Sequence, residues 1–242
     1  MKILKNSNKK RYDHIPLSKD FNNWWYFGRK KILNYIISKK KYNKPIKILE
    51  IGPGVGVNIE VLQEYGIVDI LEVDEYFIEI IKENKKLNVG KIFYDFSEIK
   101  EQYDLIVFLD VLEHIYDYEG FLLNVNKLMK DDGIGVLSVP AYQTLFSQHD
   151  TNLHHYRRYN WELLKEQTLE NFEIVNRFGY NYILLPVRFL QIKILKSVVS
   201  DTTVSNLINT ILKSFIKLEV FLLRIKLNIK VGLSLFAVLK KK

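Results

Sequence analysis

The 242-residue chain contains no cysteine. Disulfides and thiolate metal sites are therefore excluded, which suits a reducing compartment. No charge-free apolar run approaches the ~18 residues that suggest a membrane span. Met1-Lys2-Ile3-Leu4-Lys5-Asn6 lacks an apolar core of the kind a secretory signal needs, so a cytoplasmic location is expected. No added RNA-binding module is visible, and aromatic and basic residues interleave only over residues 24–31. Acidic residues are scarce toward both ends. Residues 1–47 hold 14 Lys/Arg and 2 Asp/Glu, and residues 141–242 hold 15 and 7, while residues 48–140 hold 7 and 19. The net charge of +8 suits an anionic partner surface, and a lysine-rich composition accounts for it equally well.

Also missing is the third glycine of a dinucleotide fingerprint. That motif is G-x-G-x-x-G, and Val57 stands where its last glycine belongs. What is present instead is Ile48-Leu49-Glu50-Ile51-Gly52-Pro53-Gly54-Val55-Gly56. A short apolar run reads as a strand buried on both faces. Glycines straight after it let the backbone turn sharply and approach a ligand closely. Val57 to Tyr65 then reads as a helix, which completes a nucleotide-type corner at the carboxyl end of a parallel strand.

The rest of the middle repeats this alternation. Val68 to Val73 is expected as the second strand and carries Glu72, 20 residues after Gly52. A doubly wound site wants a ribose-binding carboxylate there, with Asp74 and Glu75 as competitors. A helix over Glu75–Lys86, a strand near Lys91–Tyr94 ending in Asp95-Phe96, and a strand over Leu105–Leu109 follow. Next come Asp110-Val111-Leu112-Glu113-His114, a helix over Tyr118–Met129, a turn at Lys130–Gly133 and a fifth strand over Ile134–Val139 ending at Pro140. Strands alternating with helices imply a parallel sheet covered on both faces.

These segments resemble, in order and spacing, the motifs of the class I S-adenosylmethionine (SAM) methyltransferases. The resemblance implies a Rossmann-like α/β fold with a seven-stranded sheet whose last strand is antiparallel. It implies that Glu50, Gly52, Gly54, Gly56 and Asp110 surround the methionine part of SAM. Glu72 would hold the ribose, and Asp95 and Phe96 the adenine. Trp24-Trp25-Tyr26 and His155-Tyr156-Arg157-Arg158-Tyr159 resemble a type 11/12-like subgroup that often accompanies cell-envelope glycosyltransferases. An envelope sugar or lipid-linked glycan is the acceptor this implies. An RNA methyltransferase and a non-catalytic partner of a membrane glycosyltransferase are the alternatives.

Methylation of a hydroxyl needs a base, and neutral histidine suits that task near pH 7. His155 is the first candidate and His114 the second, among five histidines that also include His14, His149 and His154. Arg157, Arg158 and Tyr156 are expected to contact the acceptor, with Trp24 and Trp25 as an aromatic lid. Asp110-x-x-Glu113-His114 also resembles the metal segment of ubiquinone-pathway and small-RNA O-methyltransferases. Many relatives with Val-Leu-Glu-His use no metal, and none is expected here.

Four regions follow. Residues 1–45 form a basic arm and an aromatic cap with a helix over Ile32–Ser38. Residues 46–181 form the cofactor core, with a helix over Trp161–Thr168 and a sixth strand over Asn171–Phe178. Residues 182–230 are an amphipathic helical insertion, too long for a hairpin loop. Residues 231–242 are the final strand. Val204, Leu207, Ile208, Ile211, Leu212, Phe215 and Ile216 make the apolar face of the insertion, and Lys213, Lys217, Arg224 and Lys226 lie among its polar positions. That face fits its own core, a homodimer partner or an anionic membrane surface.

Overall fold

A computed structural model describes residues 22–42, 45–193 and 205–242. The basic arm, His14 and Val204 lie outside the described residues. Seven strands form one sheet in the order β3-β2-β1-β4-β5-β7-β6. They are β1 (Ile46–Ile51), β2 (Gly66–Leu71), β3 (Val89–Phe93), β4 (Tyr103–Leu109), β5 (Met129–Pro140), β6 (Phe172–Tyr180) and β7 (Ser234–Lys241). The first five run parallel, and β7 lies antiparallel between β5 and β6. This is the expected Rossmann-like sheet with its antiparallel last strand.

The two-residue period of the strands divides the core into two layers. Ile46 and Ile48 of β1, with Leu105 and Val107 of β4, face α1 (Trp24–Lys39) and α8 (Asn206–Arg224). Leu49 and Ile51, with Ile106 and Phe108, face α4 (Tyr118–Leu128) and α6 (Trp161–Thr168). Near-continuous apolar strands are what this arrangement demands. The remaining helices are α2 (Ile59–Leu62), α3 (Glu75–Glu83), α5 (Gln148–Asn152) and α7 (Leu185–Lys193).

Several boundaries differ from the sequence reading for physical reasons. Helix α1 begins at Trp24, eight residues before Ile32, because the Asn23 side chain accepts from the Trp25 amide and caps it. The aromatic run is therefore helix, and Trp24 is buried in the core rather than laid over a ligand. The helix after the glycines shrinks to Ile59–Leu62, since the chain turns through a non-helical stretch until Asn58. The turn at Lys130–Gly133 is absorbed into β5, where pairing with β4 shifts register between Tyr103 and Leu105.

The insertion is not a free appendage. On α8, Ile216, Val220 and Leu223 join the core layer of α1. The Trp24 amide donates to Asn209 Oδ1 at 2.8 Å, and Tyr35 donates to the Leu223 carbonyl at 2.9 Å. Glu219, buried in the middle of α8, accepts from the amides of Asn181 (2.7 Å) and Ile183 (3.0 Å) just past β6. Burial lifts the Glu219 pKa to about 7 against those hydrogen bonds. Of the expected apolar face only Leu212 and Ile216 pack inward, while Leu207, Ile208, Ile211 and Phe215 are exposed. The buried face is rotated toward Val220 and Leu223, which leaves α8 with a second apolar face outside.

Gly28 shows how tightly α1 sits. A Cβ at this position would collide with the Tyr180 hydroxyl and lie 3.3 Å from Ile216. Gly28→Ala should cost about 1–3 kcal/mol by overpacking. Urea denaturation checks this, and Tyr180→Phe should recover part of the loss by removing the oxygen in the way.

Candidate functional site

The carboxyl ends of β1 and β4 lie side by side, and the loops that leave them diverge. That is where an open α/β sheet forms a ligand crevice. After β1 the chain passes through Gly52, Gly54 and Gly56 with φ of +65°, +56° and +82°. Side chains rarely tolerate these values. The three glycines do different work. At Gly52 a Cβ would meet Val111 Cγ2 at 2.8 Å, so this residue lets the β1 and β4 loops touch. At Gly56 a Cβ would meet Leu87 and Ile81 at 2.8 and 3.0 Å, so that glycine serves internal packing and not the ligand surface expected for it. At Gly54 a Cβ would find nothing within 4 Å, so the open cradle lies there.

Carboxylates ring the cradle. Glu50 is buried, with Oε1 accepting from Asn58 Nδ2 at 2.8 Å and Oε2 lacking a hydrogen-bond partner. Burial raises its pKa to about 7. Glu72 follows β2. Its Oε1 accepts from the Val73 and Asp74 amides at 2.8 and 3.0 Å, and its Oε2 from Gly54 at 3.3 Å. Burial lifts the Glu72 pKa, and the three amides oppose the shift. The two competitors lie at the start of helix α3. Asp74 accepts from the Tyr76 amide as the cap of α3, and Glu75 is exposed in its first turn. Beyond β3, Asp95 accepts from the Ser97 amide at 2.9 Å, which holds its carboxyl below the usual range. Phe96 beside it packs edge-on against Phe121 at 5.6 Å.

Asp110 adopts the left-handed backbone region at φ +53°. Its Oδ1 accepts from Ser138 Oγ at 2.8 Å, and its Oδ2 pairs with Arg29 of α1. Arg29 was not anticipated as a site residue. Its guanidinium stacks over the Trp25 ring at 5.2 Å, so Trp25 supports Arg29. Burial lowers the Arg29 pKa, while Tyr26, Glu113, Tyr180 and Glu50 oppose that shift.

A second cluster forms where the loop after β4 meets the segment after β5. The Tyr156 amide donates to the Glu113 carbonyl at 2.8 Å, which joins stretches 43 residues apart in sequence. The rings of His114 and His155 then meet edge to face at 4.6 Å. His155 Nδ1 lies 2.9 Å from Asp150 Oδ1. A carboxylate only accepts, so Nδ1 carries the proton and Nε2 is left as the basic nitrogen. Asp150 is fully buried, and Arg158 Nε also donates to Oδ1, at 2.7 Å. Burial works against the ionised Asp150, yet the bonds from His155 and Arg158 outweigh it and hold the carboxyl well below its ordinary range.

Arg158 is thus an internal ion pair, itself buried, and not the acceptor contact expected of it. Tyr156 is exposed and pairs with Tyr116 at 5.5 Å. Arg157 lies over Tyr118 and Tyr156 at 5.6 and 5.8 Å. Tyr156 is thus at the surface, while Arg157 is half-buried with its Nη1 shielded from solvent.

Glu113 is fully buried, and neither carboxyl oxygen has a hydrogen-bond partner. Burial pushes its pKa to about 8. The surrounding walls desolvate His114 and the neighbouring histidines repel a charge, so its pKa falls to about 4 although one edge reaches solvent. Donor atoms of Glu113, His114 and His155 lie within 4.8 Å of one another. The sequence reading expected no metal, but these three could hold a divalent cation, and Asp110 is engaged elsewhere by Arg29 and Ser138.

Comparison with known proteins decides the family. A family model described as a methyltransferase domain matches residues 24–184. This chain belongs to that methyltransferase family. Its cofactor is S-adenosyl-L-methionine, and the orphaned Glu50 oxygen and the open Gly54 cradle fit a polar ligand seated against the glycine turn. A ubiquinone biosynthesis O-methyltransferase from Rickettsia bellii is 34% identical over 116 residues, 44% of this chain and 48% of that protein. The chain spans about half the length of the curated relatives it matches. Among solved structures, a protein of Pyrococcus horikoshii superposes with a TM-score of 0.62 at 15% identity, covering 97% of this chain and 100% of that one. The N-methyltransferase NodS of Bradyrhizobium japonicum, in complex with S-adenosyl-L-homocysteine, has a TM-score of 0.57 at 15% identity, covering 98% and 93%. These two likenesses concern the fold.

Two outcomes are expected for the methyltransferase. Gly54→Arg fills the cradle and should abolish SAM binding by calorimetry, whereas Gly54→Ala meets open space and should lose only the roughly 1–2 kcal/mol of left-handed strain. The second outcome concerns Glu113. A raised pKa means that stability falls as pH rises from the unfolded carboxyl value toward about 8. Glu113→Gln cannot ionise, so in the presence of a chelator its thermal midpoint relative to wild type should be higher at pH 8.5 (about half a unit above the folded value) than at pH 5.5 (about one unit above the unfolded value). A difference that moves the other way would show that ionised Glu113 is stabilised in place.

Proposed function

We propose that the methyltransferase transfers the SAM methyl to a hydroxyl oxygen of a lipid-linked or other small acceptor, an envelope glycan being the class implied by its sequence. The observation that carries the oxygen assignment is the Asp150–His155 pair. A buried carboxylate holds Nδ1, which leaves Nε2 basic, and the ring lies edge to face with His114. An alcohol must lose a proton as it is methylated, and this histidine is arranged to take it. The name of the Rickettsia bellii relative, a ubiquinone biosynthesis O-methyltransferase, agrees with oxygen as the methylated atom.

Bound SAM supplies an electrophilic methyl on a sulfonium leaving group. Gly52, Gly54, Glu50 and Asp110 would hold its methionine end, Glu72 Oε2 its ribose, and Asp95 and Phe96 its adenine. In the transfer, His155 Nε2 would take the hydroxyl proton as the acceptor oxygen attacks the methyl carbon, the SAM sulfur being the leaving group. Alignment of oxygen and methyl supplies much of the rate. An apolar groove of about 620 Å³ borders the end of β5, lined by Tyr142, Leu145, Leu185, Pro186, Phe189 and Leu190. It supports an acceptor with an apolar portion.

A second reading concerns the role of the histidines. The partnerless oxygens of buried Glu113 favour a divalent cation shared with His114 and His155. In that case the acceptor oxygen would be activated at the cation and not by free His155.

His155→Ala should keep SAM binding and lower methyl transfer by about 10²–10⁴. The assay is methyl-labelled SAM with a cell extract, followed by organic and aqueous partition. Label in the organic phase supports a lipid-linked acceptor. Label confined to the aqueous phase moves the acceptor to a soluble sugar, metabolite or RNA. Equal transfer by His155→Ala removes this residue from the chemistry. Activity lost with a chelator and restored by Mg²⁺ or Mn²⁺ in wild type but not in Glu113→Gln supports the cation reading.

A further inference from the structure

Helix α8 has more apolar surface than its own core uses. Its inward side is Leu212, Ile216, Val220 and Leu223. On the outside, Leu207, Ile211, Phe215, Leu218, Phe221 and Ile225 recur at spacings of three and four, which places them in one stripe. All six are exposed, Leu207 by 71% and Phe221 by 56%. Scattered exposed leucines need no explanation, but a stripe of six, interrupted by Ser214, along a helix of about 28 Å does.

Charge says what fits it. At 100° per residue, Lys217 and Arg224 fall on the band next to this stripe, and both are exposed. Lys226 follows just beyond the helix and is exposed as well. The one acidic residue of α8 is Glu219, which is buried against Asn181 and Ile183. The outer surface of this helix therefore has cations and apolar groups and no carboxylate. An in-plane helix at a lipid interface has this layout, with an apolar stripe immersed and long basic side chains reaching the anionic headgroups. A second copy of the chain would bring the same cations against each other and offers no complementary charge. Among the described residues no helix is long and apolar enough to cross a membrane, so contact by this face would be peripheral.

We propose that the outer face of α8 docks the methyltransferase on an anionic bilayer, with the helix lying in the plane of the interface. This does not depend on which acceptor is methylated.

The test is co-sedimentation of the full chain with vesicles of phosphatidylcholine alone and of phosphatidylcholine with 30% phosphatidylglycerol (a fraction chosen to give roughly −30 to −50 mV at the surface). Wild type should bind the anionic vesicles at least about tenfold more tightly, and high salt should weaken that binding. Leu218→Glu combined with Phe221→Glu should lose at least about tenfold by removing the immersed stripe. Lys217→Glu combined with Arg224→Glu should lose a similar factor by reversing the flank. All four positions are exposed, and retained SAM affinity reports that each variant is folded. Absence of binding to anionic vesicles overturns the proposal, as does equal binding to neutral ones. A wild-type dimer in solution that Leu218→Glu with Phe221→Glu dissociates, without vesicle binding, assigns the face to a second copy and also overturns it.

Discussion

Arg29 brings one positive charge into a crevice built from carboxylates. It pairs with Asp110 and lies within electrostatic reach of Glu50 and Glu113. Glu50 lies at the end of β1, while Asp110 and Glu113 follow β4, and Glu50 and Glu113 are buried. Without a cation among them, β1 and β4 could not both present acidic residues at the same edge at low cost. The guanidinium also fixes α1. Trp25 stacks on it, Trp24 and Ile32 fill the core beneath, and the helix is tied to α8 through Trp24 and Tyr35. Cofactor crevice, aromatic helix and C-terminal insertion therefore form one mechanical unit.

Asp150 plays the matching role in the histidine cluster. Four donors converge on its carboxylate: the Ser147 amide at 2.9 Å, the Ser147 hydroxyl at 3.3 Å, Arg158 and His155. An ionised carboxylate held this way sets the imidazole tautomer and its direction. Arg158 compensates the charge, so the pair can remain buried. The sheet-end location brings this cluster next to Glu113 and His114, where the Tyr156 amide donates to the Glu113 carbonyl and the Tyr159 hydroxyl to the Leu112 carbonyl. Chemistry that depends on residues 113, 114, 150 and 155 thus rests on how one loop lies against another.

Much of the architecture was legible in the residues. The apolar run into Gly52 and Gly54, the acid at Glu72 and the alternation of strand and helix pointed to a parallel sheet covered on both faces, and the resemblance to the class I methyltransferases implied its antiparallel last strand. Trp161–Thr168 was placed to the residue because Asn160 is a strong cap. Errors fell where tertiary contacts override local pattern. Trp24 reads as a lid because it is aromatic and lies near a polar arm, yet it is core. Arg158 reads as an anion clamp, yet its partner is Asp150. Gly56 belongs to the motif, yet it is there for Leu87 and Ile81. The apolar residues of α8 read as one face, yet they divide between core and surface.

By itself the sequence determined the order of elements, the glycine turn at the end of β1 and the acid types at the crevice. Those features are local, set by side-chain period, by backbone freedom at glycine and by carboxylates at strand ends. Only the tertiary structure decided which acid is neutralised, which histidine nitrogen is basic, and that Glu113 is left without a hydrogen bond. Burial and charge pairing are properties of neighbours brought from distant parts of the chain. Arg29 lies 81 residues before Asp110 and has no local mark of its role.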